Sequence, residues 1–116
     1  MKNISEFAKK PKLEKLEIND AELIENYGGE PISFCIMDEM DISTYFNFYR
    51  LQQSEDGNLL NELLRKLILK EDGKPALGPD EVFPVDITLA ILVRINDFLG
   101  KSKPKTSTPA TGKQLN

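Results

Sequence analysis

The stretch NLLNELLRKLILKEDGKPALGPDEVFPVDITLAILVRINDFLG, from Asn58 to Gly100, decides the fold of this chain. Its first part repeats leucine and isoleucine at helical spacing, which predicts a helix over Leu59–Lys70. Gly73 and Pro75 lie just beyond it and both break helices, so a turn must follow. A helix, a turn and a second helix therefore form the predicted centre of the fold.

The second helix, which we expect to begin at Pro84 or Asp86, is apolar on almost every side. At about 100° per residue its apolar positions spread around nearly the whole circumference. They are Ile87, Leu89, Ala90, Ile91, Leu92, Val93, Ile95, Phe98 and Leu99. Since a helix of this kind needs cover on several sides, one side is predicted to meet another protein.

The segment before this centre predicts a small β-structure. Ile32–Met37 is β-branched and aromatic, as strands are, whereas periodicity does not decide whether Ala21–Tyr27 is a strand or a short helix. Gly28 and Gly29 form a pair favoured in two-residue hairpin turns, because both positions tolerate positive φ. A hairpin around this pair is the preferred interpretation, and its apolar face must pack on the helices to be stable.

A further helix is predicted after the strand, with Asp41 or Ser43 as its N-cap. Four apolar residues fall on one helical face and are interpreted as facing the core. They are Ile42, Tyr45, Phe46 and Tyr49. Phe48 and Leu51 fall off that face and are predicted to be available to a partner.

These elements predict an α+β fold that is mainly α-helical, with a small N-terminal β-hairpin packed on three or four helices. Residues 1–12 are expected to form a flexible basic arm and residues 13–100 a single domain. Residues 101–116 are rich in Lys, Ser, Thr and Pro and are expected to be disordered.

Charge is unevenly distributed along the chain. Residues 1–15 carry a net charge of +3, residues 16–100 carry −11, and residues 101–116 carry +4. A folded part this acidic repels phosphate backbones, which argues against a nucleic-acid partner. The basic ends are interpreted as solubilising segments.

No residue pattern predicts catalysis, a metal or a cofactor. Cys35 is the single cysteine and the chain has no histidine, which excludes a Cys–His pair and a zinc site of the usual ligands. Cys35 alternates with large apolar residues and is interpreted as a buried, inert thiol. The acidic residues at 38–41 are interpreted as helix-capping charge, and Gly100-Lys101-Ser102 lacks the first glycine of a phosphate loop. No apolar run has the length needed to span a bilayer.

The order of these features resembles the tail assembly chaperones of long-tailed bacteriophages. The resemblance covers about residues 20–100 and includes the predicted hairpin at Gly28-Gly29, the strand Ile32–Met37 that follows it and the acidic stretch at 38–41, which opens a helix. It continues through the helix at Leu59–Lys70 and the closing helix Ile87–Leu99. The turn Asp72-Gly73-Lys74-Pro75 between two apolar helices is its most recognisable part.

The resemblance implies a non-enzymatic protein made in the cytoplasm of the infected bacterium and absent from the mature virion. Such chaperones bind the tape measure protein, keep its hydrophobic helices soluble and present it to tail tube subunits. The resemblance also implies a longer form, made by a programmed frameshift, that recruits the tube protein. The present chain would be the short form.

Lining a long rod requires self-association as well as a client surface, and heterologous self-contacts build rings or spirals. The predicted interaction residues lie on two helices, the one that follows the strand Ile32–Met37 and the closing helix Ile87–Leu99. They are Phe48, Leu51, Leu89, Leu92, Val93 and Leu99. The rival interpretation is a small adaptor or a structural virion protein of the head–tail connector type. A transcriptional regulator is disfavoured, because no helix is rich in Lys and Arg.

Overall fold

The computed structural model describes residues 1–102, which form a two-stranded antiparallel sheet and four α-helices. The strands are β1 (Leu13–Ile18) and β2 (Ile32–Met37), and the helices are α1 (Ala21–Asn26), α2 (Ile42–Gln52), α3 (Gly57–Leu67) and α4 (Val85–Ser102). The predicted α+β fold, mainly helical with an N-terminal hairpin, is confirmed. The disordered tail was predicted to begin at residue 101, but residues 101 and 102 are the last two residues of α4. The rest of the predicted tail, residues 103–116, lies outside the described part.

The strand that pairs with β2 is β1, in the register Leu16↔Phe34. The preferred hairpin around Gly28 and Gly29 is therefore wrong, since the segment before the glycines is the helix α1. Asp20 caps that helix by accepting a hydrogen bond from the main-chain N–H of Leu23 at 3.1 Å.

The glycine pair ends α1 instead of turning between strands. Gly29 donates its main-chain N–H to the carbonyl of Ile24 at 2.9 Å, and Gly28 donates to Glu25 at 3.4 Å. Both glycines have positive φ, +102° and +80°. This arrangement is the Schellman helix stop, which favours glycine because an L side chain is strained at positive φ.

Helix α3 ends at Leu67, three residues earlier than predicted, because the next residues extend the sheet. Leu69 exchanges two main-chain hydrogen bonds with Cys35 of β2, at 2.9 and 2.8 Å, and also bridges to Pro75. The predicted break after α3 is confirmed as a tight turn. Its Gly73 has φ +85° and donates its main-chain N–H to Lys70.

The core lies between the inner face of the hairpin and the helices. Its buried members come from both strands, from each helix and from the residue that follows α3. They are Leu16, Ile18, Leu23, Phe34, Ile36, Phe48, Leu64, Ile68, Ile91 and Ile95. Cys35 is free and buried, as predicted.

Candidate interaction surfaces

The structure reverses the predicted orientation of α2. Phe48 is 1% exposed and Leu51 is 6% exposed, so both belong to the core and neither is open to a partner in the single chain. The predicted core stripe is mostly outside, with Phe46 62% exposed. Two faces of α2 carry apolar residues at helical spacing, and packing against the rest of the chain selects the face of Phe48.

A polar pair helps to fix this orientation. Asn96 of α4 donates its side-chain amide to Gln52 Oε1 at 2.7 Å, and Gln52 Nε2 lies 3.5 Å from Asn96 Oδ1. Gln52 also donates to the main-chain carbonyl of Phe48 at 3.1 Å. Because Gln52 and Asn96 are 44 residues apart, no local pattern indicates which face of α2 turns inward.

The outer face of α2 is the first candidate surface. Ile42, Phe46 and Tyr49 are all exposed and follow one another at intervals of four and three residues, so they form one line along the helix. We call this line the α2 stripe. Arg50 is the single charged residue within Ile42–Gln52, which leaves the helix surface almost uncharged.

The second candidate surface lies on α4. Val85, Leu89 and Val93 are spaced by four residues and are 75%, 57% and 69% exposed. We call them the α4 stripe. Leu92 and Leu99, which were predicted to face a partner together with Leu89 and Val93, are half-buried and pack against the core.

Leu89 and Val93 of the α4 stripe line one wall of a groove between α1 and α4, with a volume of about 690 Å³. Its apolar lining combines α4 with the helix and strand opposite. These residues are Ile18, Leu23, Leu89, Ala90 and Val93. We call this feature the α1–α4 groove. An apolar concavity of several hundred Å³ is the ordinary form of a binding site.

Two long-range hydrogen bonds hold the walls of the groove together. Tyr27, which caps the end of α1, donates its hydroxyl to Asp86 Oδ1 of α4 at 2.9 Å. This hydrogen bond, with smaller effects of desolvation and of the nearby charge, raises the pKa of Tyr27 above its ordinary value of 10.0. Arg94 of α4 donates its Nε hydrogen to the main-chain carbonyl of Glu17 in β1 at 2.8 Å.

The lining of the groove is also acidic. The residues that line it include four carboxylates, Asp20, Glu22, Asp86 and Asp97, and one guanidinium, Arg94, for a net charge of −3. Arg94 Nη1 lies 3.5 Å from Asp97 Oδ2, which partly neutralises one end. A groove that combines apolar side chains with a net negative charge suits a ligand that presents apolar side chains beside positive charges.

The N-terminal arm, residues 1–12, carries those complementary properties. It contains a 3-10 helix at Ile4–Phe7 that has no buried residue, and Ile4 and Phe7 are 82% and 58% exposed. The turn is nevertheless ordered by a capping box. Asn3 Oδ1 accepts from the main-chain N–H of Ser5 at 3.1 Å, and Glu6 accepts from the main-chain N–H of Asn3 at 3.0 Å.

Within residues 1–102, no group of three or more acidic or sulfur side chains is arranged to hold a metal ion. The same part of the chain contains no helix with the length and hydrophobicity that crossing a bilayer requires.

No protein-family model, curated protein or solved structure matches this chain.

The amino-acid sequence predicts only part of these surfaces. Leu89 and Val93 were predicted to face a partner and are exposed, whereas the α2 stripe and the α1–α4 groove were not predicted. Asp20 before an apolar pair and Gly28 eight residues later were usable signals for α1, since they are typical helix start and stop residues. The groove itself had no local signal, because its two walls are distant in sequence.

Proposed function

We propose that this protein is a tail assembly chaperone of a long-tailed bacteriophage. In this role it binds the tape measure protein, keeps it soluble and, through a longer frameshifted form, helps to recruit tail tube subunits. The protein acts without catalysis, in the cytoplasm of the infected bacterium, and leaves before the virion is complete. The order of sequence features resembles that family, and the exposed surfaces are of the kind the role requires.

The observation that carries the proposal is the presence of two separate exposed apolar lines on a chain whose core is already closed. Ile91 and Ile95 turn inward from α4 and are at most 2% exposed, while Leu89 and Val93 of the same helix remain outside. On α2, Phe48 is inside while the α2 stripe is outside. A chaperone that coats a rod needs one surface for its client and another for its neighbour, so two such lines support the role.

The α2 stripe is the better client surface of the two. It is a straight apolar line with two aromatic rings and little charge around it, which suits the apolar face of a long helix. Phe46 and Tyr49 each provide a large apolar area, and aromatic residues are the commonest anchors of protein interfaces. The α1–α4 groove, by contrast, has four carboxylates in its lining and favours a basic ligand.

Co-expression with the tape measure protein of the same phage tests the proposal. The wild-type chain is expected to move the tape measure protein from the insoluble to the soluble fraction and to co-purify with it. A Phe46→Ser, Tyr49→Ser double variant is expected to lose most of that effect, because it removes the two aromatic anchors without touching the core.

Val82→Ser is the matched control, since Val82 is 58% exposed and belongs to neither stripe. It should keep the tape measure protein soluble as the wild type does. If the wild-type chain has no effect on solubility, the chaperone proposal is overturned. If the double variant is as active as the wild type, the assignment of the client to the α2 stripe is wrong.

A structural virion protein differs from a chaperone because it remains in the mature particle. Mass spectrometry of purified mature particles should not detect residues of this chain if it acts as a chaperone. Its recovery in stoichiometric amount would identify it as a component of the particle.

A further inference from the structure

We propose that the N-terminal arm of one copy binds in the α1–α4 groove of the next copy, so that the chain associates head to tail. This inference extends the proposed function, which requires contacts between neighbouring copies, but its observations concern the arm and the groove and not the client. Arm and groove are both surfaces that the single chain leaves uncovered.

The arm has the form of a ligand. A 3-10 helix has three residues per turn, so Ile4 and Phe7 lie on the same side of it. The capping box between Asn3 and Glu6 holds this turn in shape although none of its residues is buried. A segment ordered before binding loses less conformational entropy when it docks.

The charges of the two surfaces are complementary. Residues 1–12 contain four lysines and one glutamate, a net charge of +3, whereas the groove lining carries −3. Both surfaces combine their charges with apolar side chains, Ile4 and Phe7 on the arm and Leu23, Leu89 and Val93 in the groove. Apolar contact together with opposite charge gives both affinity and register.

The arm is attached at the end of the hairpin away from its own groove. Main-chain pairing continues beyond Leu13 to Lys12, whose carbonyl accepts the main-chain N–H of Asp38 at 2.7 Å. Lys12 in turn donates its own main-chain N–H to Asp38 Oδ1 at 2.8 Å. Lys9 lies 3.5 Å from Glu39, which follows β2. The groove lies at the opposite end of β1, beside Ile18 and Asn19. The six residues of β1 separate the two ends by roughly 17 Å.

Because the arm leaves the fold away from its own groove, it is placed to reach the groove of a second copy. Binding of an arm to a different patch on the next copy is a heterologous contact, which repeats and builds rings or open spirals. Because each copy carries one arm and one groove, every copy in the interior of such an assembly makes two contacts of the same kind.

Analytical ultracentrifugation of the full chain over a range of concentrations tests the proposal. The wild type should form concentration-dependent species larger than a monomer, and these should weaken as salt rises, because higher ionic strength screens the charges. The arm variant Phe7→Asp and the groove variant Leu89→Asp, Val93→Asp should each weaken association roughly tenfold or more. All three residues are exposed, so circular dichroism should show an intact fold.

Mixing the two variants gives the decisive result. The arm variant has an intact groove and the groove variant has an intact arm, so one good contact remains between them. The mixture should therefore form a one-to-one heterodimer that grows no further, although each variant alone is monomeric.

Three outcomes overturn the inference. The first is a wild-type chain that stays monomeric at every concentration, as expected if each arm bound its own groove. The second is a mixture of the two variants that remains monomeric. The third is loss of association in Phe46→Asp with full association in both the arm and the groove variants, which would assign self-contact to the α2 stripe.

Discussion

Arg94 Nε donates a hydrogen bond to the main-chain carbonyl of Glu17 at 2.8 Å, which ties the middle of α4 to the outer edge of β1. The side chain of Arg94 is 22% exposed, and its Nη1 also lies 3.5 Å from Asp97. The guanidinium of Arg94 therefore hydrogen-bonds a carbonyl of the edge strand and holds one wall of the α1–α4 groove in place. Edge strands with free main-chain groups are prone to pair with other chains, so this contact also protects the sheet.

Replacement of Arg94 by alanine should destabilise the protein by about 1–3 kcal/mol, the usual range for a hydrogen bond made by a charged group. Lysine should restore only part of the loss, because an ammonium lacks the planar fork of a guanidinium. Urea unfolding followed by circular dichroism measures the change. Arg50→Ala is the control, since Arg50 is exposed and its hydrogen bond within α2, to Asn47, is local; its effect should stay within about 0.5 kcal/mol.

Phe48 and Phe46 offer a matched pair two residues apart on α2. Phe48→Ala removes a ring that is 1% exposed and should cost about 3–5 kcal/mol, because it leaves a cavity in the core. Phe46→Ala truncates a ring that is 62% exposed and should change the free energy of unfolding by about 0.5 kcal/mol or less. Equal losses in the two variants would contradict the orientation of α2 described above.

Asp41, the N-cap of α2, should contribute a pH-dependent part of the stability. Its carboxylate accepts the main-chain N–H of Thr44 at 2.8 Å. That hydrogen bond, together with one to the Thr44 side chain, lowers the pKa of Asp41 below its ordinary value of 3.8. Because the folded-state pKa is below the unfolded one, the stabilisation is fully present above pH 3.8 and is lost as pH falls through the lowered pKa.

The thermal midpoint of Asp41→Ala should therefore lie below that of the wild type at neutral pH, and the gap should narrow on acidification. Asp41→Asn keeps an oxygen that can cap the helix but does not titrate. The difference in thermal midpoint between Asp41→Asn and Asp41→Ala should stay constant with pH. If the difference between the wild type and Asp41→Ala is also constant with pH, the charge of Asp41 has no role in the cap.

Two glycines should respond in opposite directions to alanine. Gly73 has φ +85° with no atom within 4 Å of an added Cβ, so Gly73→Ala is strained by its backbone alone and should cost about 1–3 kcal/mol. Gly57, the first residue of α3, has equal space and no positive φ. Gly57→Ala should stabilise the protein by about 0.4–1 kcal/mol, because it restricts the unfolded chain. Chemical denaturation of both variants measures the two effects.

The sequence by itself determined the strand at Ile32–Met37, the helices α3 and α4, the break between them and the burial of Cys35. Each of these depends on neighbours in the chain, such as the leucine repeat of α3 or the residues Gly73 and Pro75 that stop it. Neighbouring residues are enough to predict an element when the sequence contains only one pattern. Helix α2 has two apolar faces at the same helical spacing, and the sequence pattern favoured the face that is exposed.

The tertiary structure alone decided which face of α2 turns inward, which strand pairs with β2 and where the α1–α4 groove lies. Phe48 is buried because α2 packs on its neighbours with Gln52 against Asn96, and the groove exists because Tyr27 and Arg94 reach residues far away in the sequence. The physical reason is common to all three. A buried face or a groove is a relation between surfaces that come together only on folding, and no window along the chain contains both sides of it.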